Sequence, residues 1–525
     1  MPPTVDRFRH FDPARKFDAV VIGAGLGGLT AAALLAKQGK KALVIDRHSV
    51  AGGNATVFKR KGYVFEVGVH YIGECGHDGM LGGLLREAGV NVEFLPMDPA
   101  GFDTLCFPDG FRFAYPRGTD AFEARLLETF PKEAKGIRRW CRFMRQVFKL
   151  VKCDNQPLKL LFAIPTCLLG VRYLNSTIEQ VLDSCTKDPR LRAVLIGPHL
   201  DHGVAPSKVA AMLHAGLLMH YLDDGGYYPR GGGQAMSDAL VERIEAAGGQ
   251  VLLLATADKI LVEGGRATGV EFHNKHVGRQ VVRAPVVISN ADLKQTFARL
   301  LPSAAVPPEL SQRVAGFEMA APLAVLYLGV KREALGPAGL VNTNYWVLPS
   351  DDTEVDYRAI GERRFLEDLT VGITITSNKD PAQKIAPEGV VNLQLMGLTS
   401  SDRALWGGAE EGDGYRKTPE YLAAKKAMRD RLVKQALRVF PDLEAGIVYE
   451  ELATPLSHSR YTLSSGGTGY GIAATLSQFD KKRPAVTTHL PGLLLAGAST
   501  RTGHGVYGSV LSGRDAARAA LKQLR

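Results

Sequence analysis

The segment GAGLGG at 23–28 constrains this chain more than any other. It follows the apolar run FDAVVI at 17–22 and opens a helical pattern, LTAAALLAKQGK. A second apolar run, KALVID at 41–46, ends in Asp46. Strand, glycine turn, helix and strand within about thirty residues make the unit that binds dinucleotides. Gly23 allows the tight turn, Gly25 lets the backbone approach a pyrophosphate, and Gly28 lets the helix pack on the strand. Leu26 and Gly27 belong to the same turn. The helix N-terminus offers N–H groups and a positive dipole end to phosphate. Asp46 stands where a carboxylate accepts a ribose hydroxyl.

Two further glycine-bearing stretches lie far down the chain. The first, YYPRGGGQAMSDALVERIEAAGGQVLLLATADKILVEGGRATGVEF, has a glycine run at 231–233 and a helix with Met236, Leu240 and Ile244 on one face. Strands QVLLLA, KILVE and ATGVEF follow, with turns expected at 256–258 and 264–265. VVRAPVVISNAD adds another strand. The second, LPGLLLAGASTRTGHGVYGSVLSGRDAARAALKQL at 490–524, is a buried strand ending at Gly497, a glycine-rich loop and a helix from about Tyr507.

Residues 47–73, RHSVAGGNATVFKRKGYVFEVGVHYIG, resemble the segment that follows the ribose carboxylate in FAD-dependent amine oxidases and phytoene desaturases. The resemblance implies FAD as cofactor. It places Arg47, Gly52 and Gly53 beside the diphosphate and flavin, and Gly68 where the chain passes under the isoalloxazine. It also places Ala257 against the adenine end, and Gly505, Val506 and Gly508 at the flavin pyrimidine. GVHYIG at 68–73 and the pattern of Tyr470, Gly471, Gln478, Arg483, Pro484 and Thr488 before the last strand resemble retinol saturases and carotenoid isomerases. Family members usually carry Glu at Asp46, and phytoene desaturases carry Pro before the glycines where this chain has Thr502-Gly503-His504-Gly505.

The expected fold class is therefore α/β. A discontinuous Rossmann-type FAD-binding domain (1–90, 230–300 and 460–525) interleaves with an α+β substrate-facing domain (91–229 and 301–459). The resemblance implies an oxidoreductase acting on the double bonds of a polyene or isoprenoid lipid, a carotenoid or retinoid. Hydride would pass through flavin N5, in desaturation, saturation or isomerisation. His70 and Tyr71 are the titratable residues placed nearest the ring and the candidates for proton transfer. Two other readings remain: an amine or amino-acid oxidase of the same fold, and a non-enzymatic prenyl-lipid carrier of the GDP-dissociation-inhibitor type.

The middle of the chain bears on the substrate. The formal net charge is +10. Residues 132–172 carry ten Lys or Arg against two acidic residues, so the basicity is local. In 133–170 these cations interleave with aromatic and aliphatic residues, a pattern suited to an anionic membrane surface. No DNA- or RNA-binding motif supports a nucleic acid, and no ligand spacing supports a metal. The six cysteines form no CxxC pair and suit reduced thiols. Without an apolar leader or an apolar run long enough to span a bilayer, a cytoplasmic, peripherally membrane-associated protein is expected. The segments 351–368 and 407–418 read as exposed charged loops, and Thr418 with Pro419 as a helix start.

Overall fold

A computed structural model describes residues 6–153, 157–408 and 414–525. At its centre is a five-stranded parallel sheet in the order Leu493–Leu495, Val286–Ser289, Ala19–Ile22, Ala42–Ile45, Gln250–Leu252. Each strand is a short, continuously apolar run, as a sheet covered on both faces requires. On one face the helices Leu26–Lys37, Gly233–Ala246 and Gly505–Gln523 pack into one core. The other face is covered by an antiparallel layer of Ala255–Glu263, Arg266–Asn274 and Gly278–Arg283. Three remote parts of the sequence thus meet in one sheet.

The first and last of these helices cross at glycine. A Cβ on Gly513 would lie 2.3 Å from the Gly27 carbonyl oxygen, and one on Gly27 would lie 2.9 Å from the Gly497 nitrogen. The C-terminal helix therefore lies directly on the helix of the GAGLGG turn.

A seven-stranded sheet takes up much of the remainder, in the order Ile447–Ala453, Leu323–Lys331, Val390–Leu398, Val371–Ile375, Asn344–Val347, Asp103–Cys106, Arg112–Tyr115. Its pairings are antiparallel except that of Asn344–Val347 with Asp103–Cys106. Helix Pro419–Ala436 starts as expected, with the Thr418 side chain accepting from the Tyr421 N–H at 3.3 Å.

Two local expectations change. Residues 256–258 form no turn: Ala255–Glu263 is one strand with a register shift between Ala257 and Lys259, a bulge that bends it without ending it. Segment 351–368 contains the helix Val355–Gly361, and Asp356 is buried, accepting from the Thr370 N–H and hydroxyl at 3.0 and 2.5 Å. Its charge run masked that anchor. Of the loop expected at 407–418, residues 409–413 lie outside the described residues.

The basic helix Ala134–Lys152 turns its apolar side inward. Trp140, Phe143, Met144, Val147 and Phe148 are core residues. Exposed apolar surface comes instead from the next segment, where Leu158 and Phe162 are 73% and 77% exposed and Leu161 and Leu168 are also exposed. Among the described residues no helix is long and apolar enough to cross a membrane. The six cysteines are free thiols.

Candidate active site

A cavity of about 3320 Å³ runs through the molecule between the two sheets. At one end is the glycine turn. Gly23 holds φ +97° and donates its N–H to the Ile45 carbonyl at 2.8 Å, so the chain reverses at the tip of the first strand. The side-chain amide of Asn290, from the VVISNAD strand end, donates to the Gly23 carbonyl at 3.2 Å and locks the loop. A Cβ on Gly28 would lie 2.2 Å from that carbonyl oxygen. Gly28 packs the turn rather than lining the cavity, whereas Gly23, Gly25, Leu26 and Gly27 line it.

Asp46 faces the cavity from the end of the second strand. Its two oxygens accept from the Ala24 and His48 N–H groups, each at 2.7 Å, which fixes the carboxylate beside the turn. Burial raises its pKa, against those hydrogen bonds. Arg47, Gly52, Gly53, Gly68 and Ala257 line the same cavity. So do Gly497, Gly505, Val506 and Gly508.

The helix Gly505–Gln523 begins two residues before Tyr507, at Gly505 with φ +80°. A Cβ there would meet nothing within 4 Å, so this turn of backbone presents itself to open space. No side chain caps the helix. Its N–H groups can therefore meet an electron-rich ring edge in the cavity. The residues fit FAD: a glycine cradle, a fixed carboxylate and an uncapped helix face one continuous space.

Between these ends and the seven-stranded sheet lies a buried polar cluster. Tyr71 Oη is 3.0 Å from Asp103 Oδ2 and 2.9 Å from Asp201 Oδ2, and its ring stacks on Tyr221. Asn344 Nδ2 donates to Asp103 Oδ1 at 2.9 Å. Lys379 Nζ donates to Asn344 Oδ1 at 2.6 Å and to the His70 carbonyl. Burial dominates every ionisation here. It raises Asp103 to about 6 and Asp201 to about 8, and lowers Lys379 to about 7. His70 lines the cavity and falls to about 3 by burial, aided by the Lys379 charge, so its ring is neutral at physiological pH. Tyr71 is pushed well above its usual value. Glu66, which accepts from the Tyr228 hydroxyl at 2.7 Å and the Gly233 N–H at 3.0 Å, rises to about 7.

Sequence reasoning named His70 and Tyr71 but not Asp103, Asp201, Asn344 or Lys379. Isolated residues at 103, 201, 344 and 379 have no shared period, and only the chain's topology brings them together. Asn290 was within reach, since it stands in the quoted VVISNAD.

Part of the cavity wall is largely apolar, with Lys152 among its residues. It is formed by Phe148, Val151, Leu160, Ile164, Leu213 and Leu217, among others. Leu160 and Ile164 come from the segment that exposes Leu158, Leu161 and Phe162.

Comparison with known proteins agrees with this geometry. Residues 21–88 match the model of an NAD(P)-binding Rossmann-like domain, and residues 419–521 that of a flavin containing amine oxidoreductase. The chain is 30% identical to all-trans-retinol 13,14-reductase of Rattus norvegicus, over 92% of this chain and 82% of that one. It is also 30% identical to the chloroplastic prolycopene isomerase of Daucus carota, over 95% and 79%. Among solved structures, an oxidoreductase from Methanosarcina mazei superposes with TM-score 0.64 at 18% identity, covering 94% of this chain and 98% of that one. Putrescine oxidase bound to putrescine does so with TM-score 0.60 at 16%, covering 97% and 99%. These last two share the fold.

Proposed function

The chain belongs to the family of the all-trans-retinol 13,14-reductases and prolycopene isomerases, and from that premise we propose that its substrate is a retinoid, carotenoid or similar polyene. It is an FAD-dependent oxidoreductase of the amine-oxidase fold. The observation that carries the substrate reading is the largely apolar part of the cavity wall, continuous with the exposed Leu158–Phe162 surface. A long hydrocarbon dissolved in a bilayer could enter there without crossing water.

In this reading residues 1–90, 230–300 and 460–525 hold the cofactor, and 91–229 and 301–459 hold the substrate. Gly25, Asp46 and the Gly505 turn would hold diphosphate, ribose and ring. When bound, the flavin supplies hydride chemistry at N5. The protein's share is to hold the polyene in line with that atom and exclude water. It must also keep a proton available beside the reacting carbon; His70 and Tyr71, which line the cavity, are the candidates for supplying it or for holding the group that does. Docking supports the same reading: Lys159 and Arg172 flank the exposed apolar residues, and the cationic face of Ala134–Lys152 lies next in the chain. Cations around an apolar patch suit an anionic lipid surface.

The test is anaerobic incubation of oxidised and reduced holoprotein with a panel of retinoids and carotenoids, products read by mass. Gain of two hydrogens, loss of two, or isomerisation without mass change each supports the reading and names the direction. No transformed polyene, together with hydrogen peroxide released from amines, would replace it with an amine oxidase.

A further inference from the structure

One hydroxyl hydrogen stands between two carboxyl groups. Tyr71 Oη is within hydrogen-bond distance of both Asp103 Oδ2 and Asp201 Oδ2, yet its one hydrogen can make a full, linear bond to only one of them. Were both acids ionised, the other would face the lone pairs of the phenol oxygen at about 3 Å. That contact is repulsive unless a second proton lies in it. One of the two carboxyls must therefore be protonated and donate to Tyr71.

The surroundings decide which. Asp103 accepts from Asn344 Nδ2, and Asn344 is in turn held by the Lys379 ammonium, so negative charge on Asp103 is compensated. Asp201 has no such donor beside it; Tyr71 is its one recorded side-chain partner among the described residues. Tyr71 then donates to Asp103, and Asp201 donates to Tyr71. Asp201 is also the member that lines the cavity, on the short turn His199–His202. His504 stands at the N-cap position of the C-terminal helix and lines the same cavity.

We propose that Asp201 is a neutral carboxylic acid in the resting protein and is the group that exchanges a proton with the polyene. Resting on the polyene reading, the step balances as follows. Reduced flavin, held by the glycine cradle and Asp46, would supply hydride to one carbon of a double bond, and the π electrons would form a C–H bond with the Asp201 proton at the adjacent carbon. The polyene would then have gained two hydrogens, the cofactor would have given up two electrons, and Asp201 would be left as a carboxylate. Tyr71 then turns its hydrogen from Asp103 to Asp201 and stabilises the new charge. In the reverse direction the same carboxylate receives the proton. Tyr71, Asp103 and Lys379 act through Asp201 and are positioning residues.

The charged neighbours that set its titration are few. Asp103 raises the pKa of Asp201 by repulsion and Lys379 lowers it, while burial is the largest cause of its rise to about 8. Tyr221, Tyr357 and Tyr470 also face it and stay neutral, with pKa values raised by burial. His504 is neutral as well, lowered by burial to about 4.

Infrared spectroscopy of the FAD-loaded protein reads the proton directly and needs no substrate. At pH 7 the wild type should show a protonated-carboxyl C=O band that shifts in D2O and fades as pH rises through about 8. Asp201→Asn should remove the component that titrates near 8, leaving only signal that titrates lower, such as that of Glu66 near 7, and Asp103→Asn should move the Asp201 component to lower pH. Single-turnover oxidation of reduced holoprotein by the polyene should slow at least 100-fold in Asp201→Asn, on the order of the loss of a general acid, with FAD content unchanged. Absence of a component titrating near 8 in the wild type, or its persistence in Asp201→Asn, overturns the proposal. So does wild-type turnover by Asp201→Asn. If no polyene is transformed by the wild type while the band behaves as described, the polyene reading fails and the protonation of Asp201 stands.

Discussion

Arg483 is fully buried, and among the described residues it hydrogen-bonds no carboxylate. Its guanidinium donates to four main-chain carbonyls, Ile472, Gln478, Ala498 and Thr500, at 2.6–3.3 Å. Burial lowers its pKa to about 10, so it stays charged at neutrality. Its geometry suits Arg alone, because Lys lacks the planar fork. Through Ala498 and Thr500 it holds the loop that leads to Gly505. Arg483→Met leaves those carbonyls unpartnered and should cost about 3 kcal/mol, with loss of bound flavin. Urea denaturation and the flavin-to-protein ratio check this; a stable, fully loaded variant would show that the loop holds itself. His458 is one of several buried histidines that shape the acid side of the stability curve. Its Nε2 lies 2.8 Å from Asn54 Oδ1, and burial lowers its pKa to about 4. A folded pKa below the unfolded value contributes stability that is present above about 6.5 and is lost as pH falls towards 4. The His458→Gln variant should lose about 2–3 kcal/mol less than wild type between pH 7 and pH 4. Parallel urea midpoints across that range would contradict the assignment.

At the level of elements, residues with one possible conformation were legible and residues with only a neighbourhood were not. Gly23, Gly28 and the Thr418–Pro419 start leave a trace in residue type, because backbone geometry there admits few alternatives. The basic helix Ala134–Lys152 was legible as amphipathic, but its pattern could not say whether lipid or protein covers the apolar face. The structure answers with Trp140 and Phe143 in the core. The surface open to lipid is instead the helix Pro157–Ala163 and the turns after it. Introducing charge there with Leu161→Asp and Phe162→Asp removes apolar contact and adds repulsion from anionic lipid. Sedimentation with anionic vesicles should fall at least tenfold, thermal stability should hold, and FAD content should be unchanged. Undiminished vesicle binding would move the docking surface elsewhere.

For the whole molecule, the five-stranded sheet draws its strands from residues 19–22, 42–45, 250–252, 286–289 and 493–495, and the cluster around Tyr71 draws on 71, 103, 201, 344 and 379. The first assembly could be read in advance because each piece repeats a known strand-and-glycine grammar. The second could not, because an acid or a lysine is ordinary until a fold encloses it. The same long-range construction has a consequence for biosynthesis. Since the helix Gly505–Gln523 completes the cradle, a chain in which this helix has not yet packed has the other walls of the pocket and no floor. Cofactor loading must then wait until this helix has packed against the GAGLGG turn, and a chain cut before Gly505 should be colourless however well its earlier parts fold.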